Sequence, residues 1–289
     1  MTVLAFILLY GISYGLVLCL ISVGLVVTMG LMRVVNLAHG AFAAIGGYLS
    51  TGMMAQLGVP FPLAVCIAVV VVMVVSVFIE RAFFVHLYSA PDLDQVLLTL
   101  GLCFLVIGVL TSYFGPNVYP TMLPSYLQGS VNLGFRDFEI YRLVVAVISA
   151  LIIAALWLGF ERTNLGAQLR AAVDNRTMTQ ATGINVPRLF SLTFALGSGL
   201  AALGAAIGAP MLPLEPYYPF RYLMLILIIV ALSGHGNLKA AILVSVMIGI
   251  VETAVRLIFP ELGAFLIYFV LIVLIVWRKE GLLARRSAT

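Results

Sequence analysis

The sequence predicts an all-α, polytopic integral membrane protein: a helical bundle of about nine (eight to ten) transmembrane segments. Three observations predict it. Of 289 residues, 63% are hydrophobic and only 9% are charged, where a soluble domain carries about 25% charged residues. Residues 1–79 contain a single formal charge, Arg33. Apolar runs then recur to the end of the chain, separated by short polar breaks. Such runs do not stay dissolved in water, whereas ~20 apolar residues cross the lipid core as a helix.

Taken in order, the runs predict crossings at 3–29, 34–57, 60–79, 96–114, 141–160, 188–209, 220–234, 239–258 and 262–277. The first lacks a basic leader and runs into further apolar segments, so it reads as a crossing rather than a cleavable signal. The second and seventh are weak, because polar and glycine residues interrupt them. Cys19, Cys66 and Cys103 lie inside apolar runs without CxxC spacing and read as small buried apolar side chains. Lysine and arginine set the orientation. With the N-terminus outside and the C-terminus in the cytoplasm, Arg33, Arg81, Arg162, Arg170, Arg176, Arg188, Lys239, Arg278, Lys279, Arg285 and Arg286 fall inside. Only Arg136, Arg142, Arg221 and Arg256 fall outside, a clear positive-inside bias. The basic pI near 9.0 therefore belongs to membrane flanks, and no nucleic-acid partner is implied.

Two polar regions interrupt the runs. Residues 115–140 form an outside loop rich in Pro, Tyr and Gly that ends in Arg136, Asp137 and Glu139. Residues 161–188 form the longest inside loop. Within it Leu165, Leu169 and Ala172, with Arg170, Asp174 and Arg176 between them, predict a short amphipathic helix. Gly183 then breaks the chain and Pro187 precedes the next crossing. This helix is either a plain interfacial helix or a plug that seats in a partner. Neither region has the ~50 residues of an independent core, so 1–289 reads as one transmembrane domain.

Several constellations are candidates for chemistry. Asn36, His39 and Gly40 follow the first crossing, and Gly234, His235, Gly236 and Asn237 follow the seventh. The two stretches echo each other in placing His, Gly and an Asn-Leu pair at a break, as repeated transporter units do. For the first, one reading is that Asn36 caps a helix starting near Leu37 while His39 sits among headgroups. The other is a broken helix lining a translocation path, where polar side chains inside a membrane are expected to function. For the second, the alternatives are a turn with a helix cap, and a hinge or path lining. Residues 195–209 form a small-residue stripe suited to close helix packing. Glu252 and Arg256, at i,i+4, are expected to neutralise each other. The GxxxxGK[ST] phosphate loop is absent, so ATP chemistry and bound cofactors are not expected of this chain.

Three motifs carry a family resemblance. They are Asn36-Leu37-Ala38-His39-Gly40-Ala41-Phe42, then the loop from Gly166 to Asn175 with Ala181-Thr182-Gly183-Ile184-Asn185, and Ser233-Gly234-His235-Gly236-Asn237. Together, in this order and over nearly the whole length, they resemble the LivH-type permeases of branched-chain amino-acid ABC importers. The resemblance implies a type II-like importer permease in a bacterial inner membrane. It also implies a second related permease, two cytoplasmic ATPase subunits that use the ATP, and a periplasmic substrate-binding protein. Loop 161–188 would then be the coupling segment, with Gly166, Arg170, Ala171, Asp174, Asn175, Arg176 and Gly183 its candidate contacts. Arg170-Ala171-Ala172 stands where such importers carry Glu-Ala-Ala. The family's substrates extend to urea, amides and small amino acids. A stand-alone secondary transporter is the rival reading, for which the chain offers few ion ligands.

Overall fold

In a bilayer every backbone N–H and C=O must be paired within the protein, which turns each apolar run into a helix. A computed structural model describes residues 2–32, 36–88, 90–132, 137–234 and 236–261, with a few further positions up to 273. The long helices are α1 (Thr2–Met32), α2 (His39–Leu57), α3 (Phe61–Ile79), α5 (Asp92–Phe114), α6 (Ile140–Arg162), α9 (Val186–Gly208), α10 (Tyr218–Ser233) and α11 (Leu238–Ile258). A π-helical turn, Glu80–Phe84, and a last turn α4 (Val85–Leu87) extend α3. Between α6 and α9 lie α7 (Asn164–Asp174) and α8 (Arg176–Ala181).

Six of these helices are long and apolar enough to cross a membrane. The two weak runs explain the difference from a larger count. Glycine and polar residues dilute α2, and α10 spans only 16 residues. The expected crossing at 262–277, like Arg33, His235 and the C-terminal basic cluster, lies largely or wholly outside the described residues.

The core of the bundle is α1, flanked by α9 and α11. Lipid is as apolar as leucine, so helices gain contact energy mainly where their backbones come close. The sequence provides for this. Gly24 of α1 lies against the Gly197 backbone of α9, Gly204 against Ile21, and Gly46 of α2 against Ala202. On the other side, a Cβ on Gly15 would stand 2.7 Å from the Ser245 carbonyl oxygen of α11, and Gly249 abuts Gly11. The stripe 195–209 is therefore a packing face. Around it α3, α5 and α6 turn Val70, Val74, Phe78, Phe104, Leu105 and Leu151 outward. Cys19 and Cys103 are buried as expected, but Cys66 faces outward from α3.

The chain is not wholly α-helical. Where 115–140 leaves the apolar run, its backbone pairs instead as a small hairpin. Strands β1 (Ser130–Asn132) and β2 (Asp137–Glu139) are antiparallel, with Val131 opposite Phe138. Asn132 Nδ2 donates to Asp137 Oδ1 at 3.0 Å across it. Phe138 and Leu127 are buried beneath this cover, and the Tyr141 hydroxyl donates to the Ile207 carbonyl.

The packing argument predicts a contrast between two glycines. Gly15→Val should destabilise the detergent-solubilised protein by about 1–3 kcal/mol, the usual range for overpacking. Gly108→Ala, where a Cβ meets nothing within 4 Å, should leave the melting temperature unchanged or slightly higher. Equal losses for both would refute close backbone contact as the source of cohesion.

Candidate functional site

The corner between α6 and α9 is built from caps and one tight contact. The chain leaves α6 at Arg162, and Thr163 caps α7 by accepting the Gly166 N–H at 3.3 Å. Gly166, Leu169 and Ala172 then face inward while Arg170, Ala171 and Asp174 are exposed. Leu165, expected on the apolar face, is exposed instead. The buried row runs by threes, 166–169–172, and leaves Leu165 on its flank. Gly166 is required here, because a Cβ would collide with the Phe160 carbonyl. Arg170 donates to that same carbonyl, one of those left unpaired at the end of α6. Arg170 is thus a tether as well as an exposed cation.

Asn175 separates the two short helices. Its extended backbone ends α7, and its Oδ1 accepts the Met178 N–H at 3.0 Å to cap α8. Gly183 ends α8 with φ of +86°, a left-handed conformation natural to glycine. Asn185 caps α9 by accepting the Arg188 N–H at 3.0 Å.

Beside the corner lies a buried network that the sequence reading missed. Glu80, in the π-helical turn, is fully buried. Ser191 of α9 donates to its carboxylate at 2.6 Å, and the Tyr88 hydroxyl donates to the other oxygen. Burial, reinforced by the Glu80 carboxylate, raises the Tyr88 phenol above its ordinary pKa. It therefore stays a donor. Tyr88 packs edge-on to Phe190, and Arg176 of α8 lies 5.3 Å over that ring. A path of contacts thus runs from α8 through α9 into α3. The only sequence signals were a glutamate closing an apolar run and the aromatic residues after it.

The two breaks have different fates. After α10, Gly234 and Gly236 both adopt φ of +77°, and Asn237 caps α11 by accepting the Ala240 N–H at 3.1 Å. These are a turn and a helix cap, and His235 lies outside the described residues. The turn adjoins the corner: Lys239 is 3.6 Å from Glu161, and a cavity of about 320 Å³ lies between Phe160, Arg170, Gly236 and Asn237. The first break is not at a headgroup level. Helix α2 starts only at His39, its N-cap is Ala38, and no side chain caps it. Asn36 is buried with its Oδ1 unpaired. His39 Nε2 sits 2.7 Å from the Ile21 carbonyl, and Cys103 Sγ is 3.4 Å from the Leu37 carbonyl. Each partner lies eleven residues from the end of its helix nearest the corner, which is about 16 Å of helical rise. Residues 36–40 therefore lie toward mid-bundle, where Gly40 packs on Pro219. Asn36 as an interfacial cap and His39 at the headgroups are both corrected.

Residues 7–275 match the family described as branched-chain amino acid transport system, permease component. The chain belongs to this family of transport permeases. It is 26% identical to the high-affinity branched-chain amino acid transport system permease protein BraD of Pseudomonas aeruginosa, across 95% of this chain and 94% of that one. It is 24% identical to LivH of Escherichia coli over 84% of this chain and 82% of the relative. A probable LivH of Methanocaldococcus jannaschii is 22% identical over 85% and 79%. This permease is thus a multi-pass membrane protein, a component of a transport system. Of its candidate residues, the structure brings Gly166, Arg170, Gly236 and Asn237 to one face. It holds Asn36, His39 and Gly40 apart from them inside the bundle.

Gly166→Ala should push α7 off the end of α6. Hydrogen exchange should then rise across 164–174 by about tenfold or more, the scale of a 1–3 kcal/mol local destabilisation. Arg170→Ala should act in the same direction and more weakly. Unchanged protection in both variants would refute the tether.

Proposed function

We propose that this permease is the membrane-spanning, non-catalytic subunit of an ATP-driven importer of branched-chain or similar aliphatic amino acids. The whole chain forms one transmembrane domain with the coupling segment at 161–188. One observation carries the reading. The α7–α8 corner is a rigid, capped, exposed knob tied both to α6 and to the Glu80 network within the bundle. A knob of that build can take up a push from another protein and pass it on.

Orientation follows from charge. Arg162, Arg170, Arg176, Arg188 and Lys239 cluster around the corner, which we therefore place in the cytoplasm. Nine crossings, including one near 262–277, then put the N-terminus outside and the C-terminus inside a bacterial inner membrane. One of two ATPase subunits docks on the corner, where Asp174 and Arg176 are exposed. They bind and hydrolyse the ATP, and this chain needs no cofactor. A second, related permease completes the path, and a periplasmic binding protein delivers substrate to the opposite face. The push travels by two routes, from α7 into α6 through Gly166 and Arg170, and from α8 into α3 through Phe190 and Glu80. That the relatives are named as system permeases favours this reading over a transporter acting alone.

The test reconstitutes the assembled system in liposomes and follows labelled leucine. Uptake should require ATP and the binding protein. A cysteine at Asp174 should crosslink to a cysteine in the ATPase groove. Arg176→Ala should lower uptake more than it lowers ATP hydrolysis, because it cuts the contact to Phe190. Leucine uptake by the isolated chain under an ion gradient would overturn the proposal, as would intact transport with no crosslink at any position from 170 to 176.

A further inference from the structure

At the face opposite the corner, a cavity of about 360 Å³ opens between the ends of α1, α10 and α11. That is within the roughly 300–1,000 Å³ of small-molecule sites. Its lining is mixed: Tyr14, Arg221, Tyr222, Glu252 and Arg256 on one side, and apolar surface from Met211 and Leu257 on the other. Charge there comes in matched pairs. Arg142 pairs with Glu139 at 2.8 Å, Arg221 with Glu215 at 2.7 Å, and Arg256 with Glu252 at 2.6 Å. The lining itself carries Arg142, Arg221, Arg256 and Glu252, and the Glu139 and Glu215 partners just outside it bring the neighbourhood to neutrality with both signs present. A ligand of net charge fits this poorly, and one carrying both signs fits it well.

The carboxylates differ in burial. Side-chain exposure is 55% for Glu139 and 26% for Glu215 but 4% for Glu252. Glu252 gives Oε1 to two Arg256 donors, at 2.6 and 3.0 Å, and the Tyr14 phenol is a hydrogen-bonding neighbour of the same buried carboxylate. A carboxylate has about four lone-pair sites, and an ammonium group entering the cavity would add a donor of opposite charge to this one. Arg256 and Arg221 retain N–H donors beyond those bound to glutamate, since each guanidinium has five. Those donors suit a carboxylate.

We propose that this cavity is a receiving site for the zwitterionic end of an α-amino acid. The Glu252 carboxylate takes the ammonium, Arg256 and Arg221 take the carboxylate, and Met211 and Leu257 take the aliphatic side chain. The inference rests on the importer reading above and adds to it a place where the substrate first meets this chain. It differs from a handover that relies on the binding protein alone.

The experiment uses the assembled transport complex and a photoreactive diazirine analogue of leucine. After irradiation, peptides containing Met211 or Leu257 should carry the label. Leucine should compete, whereas isopentylamine and 4-methylpentanoate, which each keep one charge, should not. Glu252→Gln should reduce labelling by more than about tenfold, as losing one partner of a buried charge pair does. Assembly and melting temperature should hold, because Arg256 is largely exposed and stays solvated. Arg256→Lys, which keeps the charge, should lose less. Label confined to other peptides, undiminished label in the glutamine variant, or competition by the amine alone would overturn the site. ATP-driven leucine uptake by the unaltered complex, measured alongside, separates the two ideas. Uptake without label in the cavity refutes the site only, and absent uptake refutes the importer reading.

Discussion

Close backbone contact along α1 is the constraint on which the rest of this structure depends. In water, a core helix is held by the release of its apolar surface from solvent. Within lipid that drive is largely absent, and cohesion comes from many short contacts between backbones. Gly11, Gly15 and Gly249 bring α1 and α11 together, and Gly24, Gly197 and Gly204 bring α1 and α9 together. Leucine or valine at these positions would hold the helices apart and leave gaps that lipid cannot fill. The outer helices need no such provision, and their large aliphatic side chains simply replace lipid contacts with lipid contacts.

The same geometry separates what is stiff from what is able to move. Helices in contact through glycine interlock at the backbone and resist sliding. Helices joined through side chains have slack, because rotamers and hydrogen bonds can exchange. Apart from the backbone contact of Gly166 with Phe160, the links from the α7–α8 corner into the bundle are of the second kind: a guanidinium on a carbonyl, an arginine over a ring, a tyrosine and a serine on one carboxylate. The π-helical turn at Glu80 adds a local interruption of the regular helical ladder, a feature found often at functional positions. A push on the corner therefore meets a compliant shell around a rigid centre.

Much of this was legible in the sequence because the governing physics is local. Helix positions follow from run length and hydropathy, and the caps at Thr163, Asn175, Asn185 and Asn237 sit where short polar residues precede helical runs. The small-residue stripe at 195–209 announced its role by composition alone. What stayed hidden depends on long-range placement. Nothing near Asn36 reveals that Leu37 and His39 lie against Cys103 and Ile21. Nothing near Glu80 names Ser191, which is 111 residues away. Glu252 and Arg256 were readable as a pair, but not as one of three neutral pairs, since Arg142 and Arg221 arrive from other helices.

The stretch from Asn36 to Gly40 joins these themes. It buries polar groups at mid-bundle, where only a firm reason keeps them. His39 shows one such reason, because its ring nitrogen reaches the Ile21 carbonyl of the stiff central helix and fixes the start of α2 there. The chain at Gly40 then packs on Pro219 at the start of α10, so α2 and α10 begin next to each other inside the bundle. Arg221 and Tyr222 extend from that same first stretch of α10 into the cavity opposite the corner. A displacement of α2, itself packed on α3 and α9, is thereby felt at the cavity wall through the packing of α2 on α10. In this arrangement the compliant shell connects the two faces of the permease, and the glycine-locked centre provides the fixed frame against which it moves.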